Sequence, residues 1–307
     1  MADNERRPPR AEYTPEAVEA CEKALRTLLT KIGPWGTQLV LIGGMAPKYL
    51  VGSVPAELPP HVGTTDLDVI VGVALETDEE AAYRTLQKNL VESGFAPSRE
   101  PETGDEITFR WERGVDGVTV ALEFFCPAGD GVPGRLRRNP GPGVGSRVSA
   151  IRTRGAELAA ADHIIVRLTG DTLDDGGLRE DVEVRVANIL PLLVLKSIAL
   201  HERDKDKDAY DIVWTLNAYR DGPPSVAKAA RQSPIVEDAV VGEAIDLLRS
   251  NFRTYEHAGP AKYARFEIAD PGDGDERDRL RRYAHGTVAA FLRAWDLGAA
   301  SKNVREG

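Results

Sequence analysis

The stretches QLVLIGG (residues 38–44) and TTDLDVIVGV (residues 64–73) decide how this chain folds. Each contains a short apolar, largely β-branched run, which predicts one strand over Gln38–Ile42 and another over Asp66–Val73. Successive side chains of a strand point to opposite faces, so Asp66 and Asp68 project from one face while Leu67 points into the core. The second strand therefore carries two carboxylates side by side on a rigid element.

The aspartate pair and the two glycines predict a site for a metal ion and a phosphate. Two carboxylates about 6–7 Å apart on one strand face repel each other unless a cation lies between them. Mg²⁺ prefers oxygen ligands and suits this pair, and Mn²⁺ is the alternative. Gly43 and Gly44 precede a predicted short helix, Met45–Val51, and let backbone N–H groups approach an anion closely. Together these features indicate metal-assisted phosphoryl or nucleotidyl transfer.

A third acid, Glu123, lies in the otherwise apolar run VTVALEFFCP. Alternation along the predicted strand Val118–Phe125 places it on the same face as Ala121. A carboxylate in such a strand is costly unless it is paired or binds a metal, so Glu123 is a third candidate metal ligand. The alternative is a solvated acid on an edge strand.

The rest of residues 1–188 predicts an α/β unit with two long loops. We predict helices over Thr14–Ile32 and Asp78–Ser93, strands over Ile107–Glu112, His163–Leu168 and Val182–Ala187, and loops over Gly52–Thr64 and Pro127–Arg154. Thr14 is the predicted N-cap of the first helix. The turn Asp116-Gly117 predicts a hairpin that joins Ile107–Glu112 to Val118–Phe125. Residues 1–12 are polar and Pro-rich and predict a loose arm.

The second long loop, Pro127–Arg154, is strongly basic. It holds six arginines against one acid, Asp130. Such a segment suits the phosphate backbone of a nucleic acid. The alternative is a solvated, disordered loop.

From Ile189 onward the apolar periodicity is helical, with closing helices predicted over Val236–Asn251 and Arg277–Leu297. We therefore predict two domains, residues 1–188 and residues 189–307. The predicted fold class is α+β, with a mixed sheet flanked by helices in the first domain and a helical C-terminal domain.

Composition narrows the class of protein further. The 307 residues include 39 Lys and Arg against 49 Asp and Glu, a formal net charge of −10, which argues against a protein that coats nucleic acid. No apolar run predicts a transmembrane helix or a secretory signal. Cys21 and Cys126 form neither a disulfide framework nor a metal motif. We expect a cytoplasmic protein without a membrane partner.

Gly43-Gly44, Asp66-x-Asp68 and Glu123 together resemble the DNA polymerase β-like nucleotidyltransferase superfamily. Two later segments, LKSIALHER (195–203) and KDAYDI (207–212), sharpen that resemblance. They resemble the AbiEii-type nucleotidyltransferase toxins of bacterial type IV toxin–antitoxin systems, which include the mycobacterial MenT toxins. That family shows Lys-x-x-Ala-x-x-x-Arg and then Lys/Arg-Asp-x-x-Asp. The resemblance covers residues 36–70, 118–126 and 190–215.

The resemblance implies a polymerase-β-like core and a role for each matching residue. By this resemblance Asp66 and Asp68 hold Mg²⁺ between the nucleotide phosphates and the attacking oxygen, and Glu123 matches the third acid by its strand position. The resemblance also implies that Lys196 contacts the triphosphate and that Asp211 is the late essential aspartate. The motif is completed by Arg203, Lys207 and Asp208. Gly43 and Gly44 face the nucleotide phosphates. Met45 stands where Ser or Thr is common, so Thr64 or Thr65 is the candidate for the phosphate-binding hydroxyl.

The residues around Lys196 support part of this assignment. Lys196 interrupts the apolar run LPLLVLKSIAL, which predicts a half-buried lysine with its ammonium in a cleft; a snorkelling surface lysine is the alternative. Arg203 lies two helical turns further along the same face. The charged run at Asp204–Asp206 predicts a solvated turn, whereas Asp211 falls inside the following helix.

These observations predict transfer of a nucleoside monophosphate from a nucleoside triphosphate to an acceptor hydroxyl. By the family resemblance the acceptor is the 3′ end of tRNA, the protein is a toxin, and a cognate antitoxin is its partner. The acidic total charge keeps a small-molecule acceptor, such as an antibiotic-like polycation, as an alternative, and a protein acceptor as another. A catalytically weak binding module and a hydrolase that uses the same acids are alternatives from other classes.

Overall fold

The computed structural model of this chain describes residues 10–32, 39–71, 79–138, 147–173, 177–268 and 274–303. The chain divides into two units. The sheet unit comprises Thr14–Tyr49 and Gly63–Asn188, and the helical unit comprises Met1–Tyr13, Leu50–Val62 and Ile189–Gly307. Both units therefore contain residues from more than one stretch of the chain.

The sheet unit is built on one mixed sheet. Its strands are β1 (Val40–Ile42), β2 (Asp66–Ile70), β3 (Ala96–Arg99), β4 (Glu106–Val115), β5 (Val118–Pro127), β6 (Leu136–Arg137), β7 (Ala150–Thr153), β8 (His163–Asp171) and β9 (Leu178–Ala187). The strand order is β3-β4-β5-β2-β1-β9-β8, and β7 pairs with both β5 and β6. Strand β2 lies between β1, which is antiparallel to it, and β5, which is parallel to it. This order places the aspartate strand and the Glu123 strand side by side.

Apart from a short 3-10 helix at Arg10–Glu12, α-helices supply the rest of the described secondary structure. They are α1 (Pro15–Lys31), α2 (Ala46–Val51), α3 (Glu79–Glu92), α4 (Ala156–Ala161), α5 (Ile189–Glu202), α6 (Asp206–Ala218), α7 (Pro223–Arg231), α8 (Ala239–Asn251), α9 (Ala258–Glu267) and α10 (Gly274–Asn303). Within the described ranges, none of them combines the length and the apolar character that a membrane span requires.

Helix α1 begins as its sequence predicts. The Thr14 side chain accepts a hydrogen bond from the backbone N–H of Ala17, and Pro15 occupies the first helical position. The apolar face of α1, which includes Cys21, Leu25 and Leu28, is buried against the sheet. This packing covers the sheet next to β2, β5, β8 and β9.

The predicted hairpin is confirmed. Asp116 and Gly117 both have positive φ, 49° and 84°, and they connect β4 to β5 with Val115 opposite Val118. Positive φ at both central residues is the conformation of a type I′ turn, whose twist matches that of the flanking strands. The turn sets the register of the whole β4–β5 pair.

Several predicted boundaries need correction. Strand β2 ends at Ile70, before the predicted end at Val73. Three predicted ends, at Gln38, Val73 and Asp78, fall on residues outside the described part of the chain. The predicted loop Pro127–Arg154 contains β6 and β7, because β7 finds a partner in the end of β5. Strand β3 and helix α4 had no counterpart in the prediction. All four are elements of two to six residues, too short for periodicity to reveal.

The helical unit explains why α5 is apolar on every side. Helices α6, α7 and α8 pack around it, so every residue from Leu190 to Val194 is buried. The predicted loose N-terminal arm is wrong from Arg10 onward, because Arg10 pairs with Glu267 and the Tyr13 ring packs 5.6 Å from the Phe266 ring. Residues 1–9 lie outside the described part.

The predicted fold class is confirmed. The chain is a mixed α+β protein with a central mixed sheet flanked by helices and a helical C-terminal region.

Candidate metal and phosphate site

The predicted acids of the sheet unit lie in one row across neighbouring strands. Asp68 on β2 is opposite Ile42 on β1 and opposite Glu123 on β5. Glu123 is in turn opposite Arg110 on β4. Residues directly opposite each other share a face of the sheet, so Asp68, Glu123 and Arg110 point the same way. The other face is apolar: Leu67, which alternates with the aspartates, is fully buried.

Gly43 brings the backbone of the first motif against Asp68. Its φ is +67°, a left-handed conformation that favours glycine. A Cβ at this position would lie 1.8 Å from the Asp68 Oδ2 atom. The Gly43-Gly44 turn is therefore next to the carboxylate pair, as the sequence motif predicts, and glycine at position 43 is required both by its φ and by the space.

Arg110 lies next to the carboxylate row, which is formed by Asp66, Asp68 and Glu123. The sequence analysis did not predict a role for Arg110. Its Nη1 atom lies 2.6 Å from Glu123 Oε1, its Nη2 atom 3.7 Å from Asp66 Oδ1, and its Nε atom 3.3 Å from Glu112 Oε1. A signal for it existed in the sequence. The two-residue turn Asp116-Gly117 fixes which β4 residue faces Glu123, and counting back from that turn gives Arg110.

Glu123 occupies an environment that disfavours its charge. Burial raises its pKa above the ordinary value, and the charges of Asp68 and Asp66 raise it further, while Arg110 opposes them. The Glu123 side chain is 20% exposed. The acids therefore need positive charge, and Arg110 supplies part of it.

The donor set fits a magnesium ion held by two acids. Among the described residues, no group of three or more His, Cys, Asp or Glu side chains forms a metal cluster. Mg²⁺ does not require one, since it commonly binds one or two carboxylates together with substrate phosphates and waters. Asp66 and Asp68, on one strand face next to the Gly43 backbone, offer such a pair.

The two candidate threonines have different environments. Thr64 is buried, and its Oγ1 atom accepts a hydrogen bond from the backbone N–H of Asp66 at 3.3 Å. Its carbonyl oxygen lies 3.5 Å from the Cys21 Sγ atom. Thr64 thus supports the start of β2, whereas Thr65 is partly exposed. Thr65 remains the predicted phosphate-binding hydroxyl.

The basic segment flanks the acid strand. Arg152 on β7 is opposite Cys126 on β5, three residues beyond Glu123, and Arg137 lies on the neighbouring β6. Arg152 also donates a hydrogen bond from Nη1 to the Ala128 carbonyl oxygen at 2.9 Å. Two arginines of the predicted loop are therefore held by strands of the sheet.

The predicted residues of the helical unit form a buried ion-pair cluster. Lys196 Nζ lies 2.9 Å from Asp208 Oδ1 and 2.6 Å from Asp211 Oδ2. Lys207 Nζ lies 2.6 Å from Asp211 Oδ1, and Arg203 Nε lies 2.7 Å from Asp208 Oδ2. Lys196 is 6% exposed, so the prediction of a half-buried lysine is wrong: the two carboxylates let it lie deeper.

For Lys196, Asp208 and Asp211 the ion pairs outweigh the effect of burial on the pKa, whereas for Lys207 they do not. Burial lowers the pKa of Lys196, but Asp208 and Asp211 outweigh it and raise that pKa above its ordinary value. Burial raises the pKa of Asp208, but Lys196 and Arg203 lower it to about 2. Burial also raises the pKa of Asp211, yet Lys196, Lys207 and His61 hold it well below its ordinary value. Lys207 has a lowered pKa, because burial outweighs the attraction of Asp211.

His61 completes this cluster and was not predicted. Its Nε2 atom lies 3.0 Å from Asp211 Oδ1, and its ring packs against the rings of Tyr210 and Trp214 at centroid distances of 5.3 and 4.7 Å. Burial lowers the pKa of His61 to about 4, although its hydrogen bond to Asp211 opposes the change. It comes from the loop Gly52–Thr64, 150 residues before Asp211. No local pattern in the sequence links the two.

A neighbouring acid corrects the predicted solvated turn. Asp206 is buried, and its carboxylate accepts hydrogen bonds from Arg265 Nε at 3.1 Å and Nη2 at 2.7 Å. This bidentate pair between exposed Arg265 and buried Asp206 connects the start of α6 to α9.

The structure thus gathers the predicted residues into two groups. The sheet unit holds Gly43, Gly44, Thr65, Asp66, Asp68 and Glu123, and the helical unit holds Lys196, Arg203, Lys207 and Asp211. Each group is internally connected, and the catalytic and nucleotide-binding roles of its members remain predictions.

Comparison with known proteins gives little further guidance. No protein-family model matches this chain, and no curated protein matches it in sequence. One similar solved structure is that of an antigenic nucleotidyltransferase-like protein from Paracoccidioides brasiliensis. The match has 16% sequence identity and a TM-score of 0.43, and it covers 75% of this chain and 88% of that chain. Likeness at this level carries no conclusion about activity, so the function proposed below rests on this chain's own residues.

Proposed function

We propose that this protein is a metal-dependent nucleotidyltransferase that moves a nucleoside monophosphate from a nucleoside triphosphate to an acceptor hydroxyl. One observation carries the proposal. Asp66 and Asp68 share a strand face, Asp68 lies against the backbone of Gly43, and Glu123 stands beside Asp68 on the next strand. A carboxylate pair on a rigid strand beside a glycine turn suits a metal-bound triphosphate.

In this proposal Asp66 and Asp68 hold Mg²⁺, which when bound neutralises phosphate charge and lowers the pKa of the acceptor hydroxyl. The acceptor oxygen forms a bond to the α-phosphorus, and the bond from that phosphorus to the pyrophosphate leaving group breaks. A carboxylate within the row accepts the hydroxyl proton. Glu123 suits this task because its raised pKa makes it a better base than an ordinary carboxylate.

The backbone around Gly43 and Gly44 has a separate role in the proposal. In the proposal the phosphates approach the main chain of this turn, and the space that a side chain at position 43 would need is taken by the Asp68 carboxylate. Thr65 would add a hydroxyl at the start of the same strand. Positioning of this kind accounts for much of the rate enhancement in phosphoryl-transfer enzymes.

The acceptor is proposed to be the 3′ end of tRNA, with the protein acting as an AbiEii-type toxin that has a cognate antitoxin. This part rests on the resemblance of residues 195–212 to that family. The arginines of β6 and β7 support it, since Arg152 lies on β7 next to the end of β5 and Arg137 lies on β6 next to β7. Cationic side chains at this edge suit a phosphate backbone.

Label transfer tests the proposal. The purified protein is incubated with Mg²⁺, total tRNA and each nucleoside triphosphate in turn, radiolabelled at the α-phosphate. We expect label on tRNA with the wild type and none with Asp68→Asn. Glu102→Gln, which replaces an exposed glutamate of the same unit outside the basic segment, should retain full transfer.

The outcomes separate the levels of the proposal. Label on a small molecule or protein but not on RNA would contradict the tRNA acceptor and keep nucleotidyl transfer. Absence of transfer to any acceptor, with Asp68→Asn and wild type binding Mg²⁺-nucleotide equally well, would refute the nucleotidyltransferase assignment.

A further inference from the structure

Arg110 occupies the position of a counter-ion inside the carboxylate row. Its guanidinium contacts Glu123 at 2.6 Å and reaches Asp66 at 3.7 Å, while its Nε atom contacts Glu112 at 3.3 Å. The side chain is 34% exposed, so one side of the guanidinium borders solvent. A single arginine thus serves acids from β2, β4 and β5.

Arg110 already binds one of the two carboxylate oxygens that Glu123 could offer to a metal ion. Glu123 was predicted to be a metal ligand, yet its Oε1 atom already accepts a charge-assisted hydrogen bond from Arg110 Nη1. A cation bound at that oxygen would have to displace the guanidinium. It would also be repelled by the positive charge of Arg110, which is weakly screened in a half-buried site.

We propose that Arg110 is a resident counter-ion of the carboxylate row that competes with a divalent cation for Glu123. The protein alone then binds the metal weakly. The metal binds more tightly together with a nucleoside triphosphate, because the triphosphate adds oxygen ligands to the metal and offers Arg110 another anion. This inference rests on the metal site of the proposed function, but not on its acceptor.

A second arginine provides a matched control. Arg167 on β8 is opposite Glu183 on β9, and its Nε atom lies 3.3 Å from Glu183 Oε1. Both pairs are cross-strand arginine–glutamate pairs in the same sheet. Arg167 lies outside the carboxylate row, and its pair with Glu183 is more exposed, with side chains 67% and 56% exposed, so its removal takes away a cross-strand pair without changing the charge beside Asp66 and Asp68.

The test is binding of manganese chloride alone, measured by calorimetry and by the electron paramagnetic resonance signal of free Mn²⁺. Arg110→Gln should tighten Mn²⁺ binding about tenfold, as expected when a nearby like charge is removed. Arg110→Lys, which keeps the charge, and Arg167→Gln should remain within about threefold of wild type. Adding Glu123→Gln to Arg110→Gln should remove the gain, since Glu123 is the ligand released.

Unchanged or weaker Mn²⁺ binding by Arg110→Gln would overturn the inference, as would an equal gain in Arg167→Gln. If Arg110→Gln fails to fold without metal, Mn²⁺ should restore its cooperative thermal transition by replacing the lost counter-ion. Failure of Mn²⁺ to restore that transition would also overturn it.

The inference and the proposed function can fail separately. Tighter Mn²⁺ binding by Arg110→Gln, together with no nucleotide transfer by the wild type, would support the counter-ion role of Arg110 and refute the proposed transferase activity. Nucleotide transfer by the wild type, together with unchanged Mn²⁺ binding by Arg110→Gln, would support the transferase activity and refute the counter-ion role.

Discussion

The Asp68 carboxylate lies directly over the α-carbon of Gly43, so closely that a Cβ at position 43 would be 1.8 Å from Asp68 Oδ2. The antiparallel pairing of β1 with β2 sets this approach, because Ile42 is opposite Asp68. Glycine at position 43 is therefore required for a structural reason that is separate from phosphate binding. It leaves room for the metal-site aspartate.

Gly43→Ala tests this relationship. The alanine meets both an unfavourable φ of +67° and the Asp68 side chain, so we expect loss of Mn²⁺ affinity and of unfolding free energy. Gly104→Ala is the matched control, with a φ of +75° and no atom within 4 Å of the added Cβ. The φ alone costs about 1–2 kcal/mol, and overpacking at Gly43 adds about 1–3 kcal/mol. Chemical denaturation measures the free energy of unfolding of both variants. Equal losses in Gly43→Ala and Gly104→Ala would contradict the prediction.

Removing single charges from the buried cluster should lower the free energy of unfolding by amounts that depend on which charge is removed. Three cations, Lys196, Lys207 and Arg203, face the two anions Asp208 and Asp211. Asp211→Asn leaves two buried lysines with one carboxylate and should cost about 3–5 kcal/mol of unfolding free energy. Lys196→Met leaves each carboxylate one cation and should cost less. The double variant should cost less than the sum of the two.

Asp246→Asn on α8 is the control for these variants. Asp246 is exposed, and its removal should change the unfolding free energy by less than about 0.5 kcal/mol. Urea titrations at one pH compare all four variants. A larger loss in Lys196→Met than in Asp211→Asn would contradict the charge balance described for the cluster.

His61 predicts a pH-dependent loss of stability. Its pKa is lowered to about 4 in the folded protein, so between its unfolded value of about 6.5 and 4 the unfolded chain binds a proton that the folded chain does not. Stability contributed by neutral His61 is therefore present above pH 6.5 and is lost as the pH falls. His61 should account for a loss of about 2 kcal/mol between pH 7 and pH 4.5.

His61→Gln should remove that part of the pH dependence. His201→Gln should leave the wild-type slope, because His201 is exposed at the end of α5. Urea unfolding at a series of pH values gives the slopes. Identical slopes for wild type and His61→Gln would show that His61 is not buried in its neutral form.

Both cysteines should be unreactive in the native protein. Cys21 and Cys126 are free and fully buried. Burial raises the pKa of Cys126 above its ordinary value, and burial with the charges of Asp66 and Asp68 raises that of Cys21 to about 12. Because the thiolate is the reactive species, a thiol reagent at pH 8 should modify neither cysteine until the protein is unfolded in denaturant. Rapid labelling of one thiol in the native protein would contradict this.

Local features of the chain were predictable because neighbouring residues determine them. Thr14 and Pro15 set the start of α1, and Asp116-Gly117 sets the β4–β5 register. The period of two along a strand places Asp66 and Asp68 on one face. The short elements β6 and β7 were not predictable, because each is stabilised by a partner strand rather than by its own pattern.

The sequence by itself determined the strand that presents Asp66 and Asp68, the turn at Gly43-Gly44 and the helical character of the chain after Ile189. Tertiary structure decided which side chains meet these residues. Pairing of β2 with β1 and β5 brings Asp68 to Gly43 and to Glu123, and folding of the loop Gly52–Thr64 brings His61 to Asp211. Such contacts join residues distant in sequence, so only the packing of the whole chain determines them.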